Sequence, residues 1–141
     1  MRASVSRPLL ALGGLLALTL LGGCQEDDAV VADVPVLVVD SRDIDFGDKL
    51  VNSVTRLSAV FGNEGEGILT IEDITQGDLW NDAFQWESVS TPLDLEMGEE
   101  LRLMILFQPM TAQVARAELL IHSNDPEVPV FTLELQGRGE N

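Results

Sequence analysis

One thiol, one imidazole and one loop of carboxylates are the groups in this 141-residue sequence that could do chemistry. Cys24 is the only cysteine, set between an apolar run and a cluster of acids in LLGGCQEDD, so no intrachain disulfide can form. His122 is the only histidine. A general base needs a substrate-facing partner and an orienting group. The alternation around His122 puts it on the outer face of a strand with neither, as an ordinary surface histidine. No Gly-x-Ser-x-Gly elbow accompanies the serines. The pattern supports neither an enzyme nor a cofactor site. The stretch from Asp73 to Asp82 gathers Asp73, Asp78 and Asp82 within ten residues. Calcium is the metal such oxygens suit, but an EF-hand loop needs ligands at alternate positions and a closing glutamate. The expectation is a solvated acidic loop without metal, and a calcium or carbohydrate site on residues 73–82 is the alternative.

Charge removes other classes. All 24 acids follow residue 23, against six bases (Arg42, Lys49, Arg56, Arg102, Arg116 and Arg138), a net charge of −18 over that part of the chain. Nucleic-acid binding needs a basic stripe to displace counterions from phosphates, and there is none. Attraction to an anionic lipid surface is excluded on the same ground. The excess acid serves solubility, or recruits cations or a basic partner.

The front end reads as an address. Arg2 and Arg7 precede the thirteen-residue run Leu9–Leu21, LLALGGLLALTLL. As a helix it would reach about 20 Å, short of the roughly 30 Å of bilayer hydrocarbon. A positive segment followed by a short apolar one is the pattern of a secretory signal, expected over residues 1–23 and cleaved. Its end, Leu21-Gly22-Gly23-Cys24, resembles a bacterial lipobox. That resemblance implies a lipoprotein whose Cys24 carries diacylglyceryl and, on its freed amine, a further acyl chain such as palmitate; two or more chains anchor stably. Gln25 after the cysteine resembles the signal for outer-membrane delivery, and the acids beyond it resemble surface-export signals, so the domain is expected at the periplasmic face or the cell surface. Residues 24–35 then form the lipidated cysteine and a flexible tether. Within it Gln25–Asp33 carries four carboxylates and no aromatic residue, with a reach of about 15–18 Å.

Residues 36–139 suffice for one domain, with a two-residue tail at 140–141. Hydrophobic spacing is period two nearly throughout. Val36–Val39 is a short apolar run, closed by a glycine turn in IDFGD (44–48). Leu57, Ala59 and Phe61 share a face, and Ile68–Ile74 and Phe84–Val89 offer further strands. Leu101, Leu103, Ile105 and Phe107 alternate with Arg102, Met104, Leu106 and Gln108, Ala117, Leu119 and Ile121 with Glu118, Leu120 and His122, and Phe131, Leu133 and Leu135 with Thr132, Glu134 and Gln136. Turn residues separate the runs, notably Gly98, Pro109 and Ser123-Asn124-Asp125-Pro126. About seven short strands of this kind predict an all-β, Ig-like antiparallel β-sandwich.

IDFG (44–47), FGNEGEGILTI (61–71), LFQP (106–109) and AELLIHSNDPEVPVFTLELQGRG (117–139), in this order, resemble the Hydin-type or ASH domain. This is a relative of the major sperm protein fold, and its bacterial members are called choice-of-anchor D proteins. The resemblance spans Val36 to Gly139. Its motifs read as corners: Asn63 and Gly65 suit a positive-φ turn, Asn124 and Asp125 can bond their own backbone, and Pro129 fits the start of a strand. Two places depart from the pattern, TAQVA (111–115) without its glycine and MGEE (97–100) where a Pro-Gly turn is usual.

The resemblance implies a non-catalytic binding or scaffolding module. Contact residues would be exposed and apolar. Trp86 is expected in the core. Trp80, in the polar stretch QGDLWND, either plugs the sandwich or makes contacts, and Met104, Leu106 and Leu120 fall on outer faces of their strands. The expected partners are the bilayer, through Cys24, and a protein of the envelope or the surroundings.

Overall fold

The computed structural model describes residues 32–141; the expected signal, Cys24 and the tether up to residue 31 lie outside the described residues. Period-two alternation becomes strand wherever it occurs. The described residues form β1 (Leu37–Val39), β2 (Asp43–Leu50), β3 (Thr55–Asn63), β4 (Leu69–Gln76), β5 (Phe84–Trp86), β6 (Leu93–Leu95), β7 (Glu100–Phe107), β8 (Val114–Ser123) and β9 (Val130–Glu140). Four strands make one sheet in the order β1-β3-β7-β5, and five make the other in the order β2-β9-β8-β4-β6. Nine strands replace the expected seven because β2 falls where a turn was expected and β6, three residues long, is too short to show a period. One pair, β2 with β9, is parallel; the other pairs are antiparallel.

The core lies where the two inner faces meet. Ala59, Phe61, Leu103, Ile105 and Phe107 of one sheet face Leu69, Ile71, Leu119, Ile121 and Leu133 of the other, all at 0% exposure. Each buried large side chain of this kind contributes about 1.5–3 kcal/mol. Phe107 stacks on Phe84 (centroids 4.8 Å apart) and meets Phe46 at 5.3 Å. Gly137 makes room for them, since a Cβ there would fall 2.6 Å from the Phe107 ring. Leu57, expected with Ala59 and Phe61, is exposed. It lies where β3 is a sheet edge, since β1 pairs only with residues 61–63.

Two sequence expectations change. IDFGD is no terminal turn: it is the body of β2, kinked by a bulge between Asp45 and Asp48 where Gly47 has φ +66° and donates its N–H to Asp45 Oδ1 (2.8 Å). Asn63 and Gly65 do not take positive φ; among the described residues Gly47, Asn52 and Gly98 do. Asn63 is instead a buried clamp. Its Oδ1 accepts from the N–H groups of Val36 (3.2 Å) and Gly65 (2.9 Å), and its Nδ2 donates to the carbonyls of Gly67 (2.7 Å) and Leu95 (3.0 Å). Gly65 is needed because a Cβ there would stand 2.1 Å from the Val34 carbonyl oxygen.

This clamp gives the sandwich two unlike ends. Residues 33–36 enter against the β3–β4 loop: Glu64 N–H donates to the Val36 carbonyl (3.0 Å) and Gly67 N–H to that of Val34 (3.3 Å). Leu37 N–H donates to Asp125 Oδ2 in the β8–β9 corner (2.7 Å). Residues 33–35, expected as tether, therefore belong to the domain. At the opposite end lie the loops 51–54, 77–83 and 108–113, and there β9 finishes at Glu140, one residue past the expected boundary. Strands of nine to eleven residues separate the ends by about 30 Å.

Candidate functional site: a tryptophan corner opposite the chain entry

The loop between β4 and β5 crosses from one sheet to the other, and backbone bonds hold it. Gly77 N–H donates to the Glu118 carbonyl (2.8 Å) and Glu118 N–H to the Leu79 carbonyl (2.7 Å), so the loop runs beside β8 for one ladder step. A side chain at 77 would collide with Glu118, its Cβ 2.7 Å from that of Glu118. Asn81 then turns the chain: its Oδ1 accepts from Ala83 N–H (2.9 Å) and its carbonyl from Phe84 N–H (3.0 Å). Ala83 is fixed in turn by Gln108 N–H (2.8 Å). Loops tied at this many points present side chains in one arrangement.

What this loop presents is Trp80. It is half-buried and packs edge-to-face on Trp86 of β5, with ring centroids 5.3 Å apart and planes at 81°. Both rings rest on the core beside Phe84 without being enclosed by it. Trp86 stays half-buried, contrary to the core placement expected, because β5 is an edge strand with nothing beyond it. Together the rings cover the open side of the sandwich between β4 and β5, so Trp80 is both plug and surface. An open groove of about 480 Å³ lies along them, walled by Gln76, Asp82, Gln85 and Ser88. On the other side of Trp80 a hollow of about 400 Å³ reaches Met110 and Val114, both exposed apolar side chains.

The other candidates are scattered. Met104 and Leu106 are half-buried on the outer face of the four-stranded sheet, and Leu106 pairs with Gln85, next to the groove. Leu120 is half-buried on the outer face of the other sheet, between Thr75 and Thr132, and does not join them. The structure thus brings Trp80 and Trp86 together, sets Leu106 nearby, and leaves Leu120 on the far face. Trp86, Asp82, Gln76 and Gln85 were not singled out from the sequence as groove residues; the one available signal is two tryptophans six positions apart.

Asp73 lies in β4, its Oδ1 accepting from its own neighbour Ile74 N–H (2.8 Å), while Asp78 and Asp82 lie on the loop beyond. Among the described residues no three Asp, Glu, His or Cys side chains are grouped to hold a metal ion. His122 Nε2 is hydrogen-bonded to Thr75 Oγ1 (2.9 Å) on the outer face of the five-stranded sheet. The bond ties β4 to β8.

No protein-family model matches the chain, and neither does any curated protein. Solved structures do match. A protein of unknown function from Porphyromonas gingivalis W83 superposes with a TM-score of 0.64 at 23% identity, over 76% of this chain and 48% of that one. The VesB protease of Vibrio cholerae gives 0.61 at 17% identity, over 72% and 31%. The ASH/PapD-like domain 7 of human CEP192 gives 0.58 at 13% identity, over 74% and 85%. The chain spans less than half the length of the first two. At these identities the likeness is one of fold, an Ig-like β-sandwich such as the ASH/PapD-like domain also has.

Proposed function

We propose that this chain is a bacterial lipoprotein, anchored by acyl chains on Cys24, whose sandwich is a non-catalytic protein-interaction module of the cell envelope. One observation carries the reading: a pinned loop sets two half-exposed tryptophans at the end of the domain opposite the one its N-terminal segment enters. An anchored domain held this way turns its entry end to the membrane and its tryptophans outward. With residues 33–35 docked on the domain, the free tether is about eight residues, a reach of roughly 14–17 Å. The tryptophan end then stands some tens of ångströms from the lipid surface, within reach of other envelope proteins. Tryptophan is enriched at contact hot spots, and a sandwich of the ASH type supports a binding role over a catalytic one. Outer-membrane placement rests on Gln25 and the acids that follow it.

Two measurements test it. The full chain should partition into detergent and incorporate labelled palmitate in a bacterial host, and Cys24→Ser should do neither; equal partitioning of the two sinks the anchor. A photo-crosslinking residue at Leu79, beside Trp80, should capture a discrete partner on intact cells, whereas the same residue at Ile68, at the entry end, should not. Equal capture from both positions, or from neither, removes the tryptophan end as the contact site.

A further inference from the structure

The geometry points to a cationic side chain, a lysine or arginine of the partner protein, as the occupant of the Trp80–Trp86 groove; this rests on the proposal that the tryptophan end is the contact site. The two rings are not coplanar. At 81° they form a corner, so the flat two-ring platform that suits the face of a sugar is lacking. The indole face left open beside this edge contact suits a compact cation, because it carries the negative side of the ring quadrupole and tryptophan is the strongest of the aromatic hosts. The third side supplies charge. Asp82 lines the groove, is exposed, and accepts no hydrogen bond among the described residues, so its carboxylate can meet an incoming ammonium or guanidinium. Gln76, Gln85 and Ser88 add neutral acceptors around the rim. The field agrees with the local chemistry. From Gln76 to Ser88 the chain carries Asp78, Asp82 and Glu87 and no base, within a chain whose net charge after residue 23 is −18. Such a surface raises the encounter rate of a basic segment and repels an acidic one.

The sequence supplies the probe. Its only two tryptophans are the two rings of the corner, and it has no tyrosine, so intrinsic fluorescence of the full chain reports this site alone. The peptide amide Arg-Gly-Arg-Gly-Arg should change the emission saturably, and its glutamate counterpart should not. Binding should weaken steeply between 0.1 and 1 M salt, as the screening length falls from about 10 to about 3 Å. Asp82→Asn should weaken it about fivefold or more, while Glu64→Gln, which removes the same charge at the entry end, should stay within about twofold. Trp80→Phe keeps the plug and should bind more weakly. Equal weakening by Asp82→Asn and Glu64→Gln would mean attraction by the overall field, and would overturn the site. So would a saturable response to neutral chito-oligosaccharide with none to the basic peptide, or no response to any probe. If Leu79 still crosslinks on cells after such a failure, only the cation assignment is lost; if it does not, the contact site itself is wrong.

Discussion

Asp125→Asn should unlatch the entry end of the domain. Asp125 is 4% exposed and accepts three backbone N–H groups: Leu37 on Oδ2 at 2.7 Å, and Glu127 and Val128 on Oδ1 at 2.8 and 3.2 Å. The first of these spans 88 residues and fastens β1 to the β8–β9 corner. Asparagine in the same pose keeps Oδ1 but turns an NH₂ toward the Leu37 N–H, donor against donor. One hydrogen bond to a charged acceptor, worth about 1.5–3 kcal/mol, is lost, and two others fall toward the 0.5–1.5 kcal/mol of neutral bonds. Flipping the amide restores Leu37 at the expense of both other donors. The expected loss is about 3 kcal/mol, a large part of the roughly 5–15 kcal/mol that holds a domain of this size. It should lower Tm by about 10–20 °C. Urea unfolding gives the free energy, and hydrogen exchange at Leu37 gives the place. A loss under about 1 kcal/mol, or a Leu37 amide as protected as in the wild type, would refute the latch.

The same residue sets an acid dependence. Burial alone would raise the Asp125 pKa, but the N–H groups of Leu37, Glu127 and Val128 together outweigh it and hold the carboxyl below its ordinary value. The folded state therefore binds this proton less readily than the unfolded one. The stabilisation is complete above the unfolded carboxyl pKa of about 3.9 and disappears as pH falls through the lower folded value. The stability gap between wild type and Asp125→Asn should thus be constant near neutrality and close only in strong acid. A gap that closes near pH 6 would mean another group controls it.

Gly137→Ala should destabilise the opposite end, because the new methyl would meet three carbons of the Phe107 ring at 2.6–3.0 Å, and that ring is stacked on Phe84. Overpacking of this kind costs about 1–3 kcal/mol, so a Tm within about 2 °C of wild type would show that the ring can move aside. Millimolar calcium should leave Tm unchanged to within about 1 °C, since the described residues group no three carboxylates; a rise of several degrees, reversed by chelation, would revive the acidic loop as a site.

Strand content was legible where period two runs uninterrupted on local information. Leu103, Ile105, Phe107, Ala117, Leu119, Ile121, Phe131, Leu133 and Leu135 alternate in the sequence and are all buried. β2 was not legible, because the bulge at Gly47 breaks the period between Asp45 and Asp48, and its parallel partner lies some 90 residues away. Trp86 misled for a different reason: its strand alternates correctly, but burial also requires a neighbour beyond the strand, and β5 has none. The corner motifs were recognised as corners, yet the roles of Asn63 and Asp125 lie in partners 27 to 88 residues distant. Trp80 was visible as a candidate, but the ring it meets, and the right angle between them, depend on Gly77 and Asn81 steering the loop.

Those polar corners follow from how the chain enters. β1 is an edge strand, joined only to β3, and its start runs past the end of the sheet. The N–H groups of Val36 and Leu37 have no strand partner there, and the buried one, that of Leu37, would cost about 1–3 kcal/mol if left unpaired. Side-chain oxygens stand in for the missing strand: Asn63 for Val36 and Asp125 for Leu37. The glycines at 65 and 67 let the entering backbone lie close enough to use them. None of these contacts reaches the tryptophan end, about 30 Å away, where the rings rest on the core through apolar contact and expose their polar rim. The domain's attachment and its candidate contact surface thus rest on different residues, so the groove can change its chemistry without loosening the point where the chain enters.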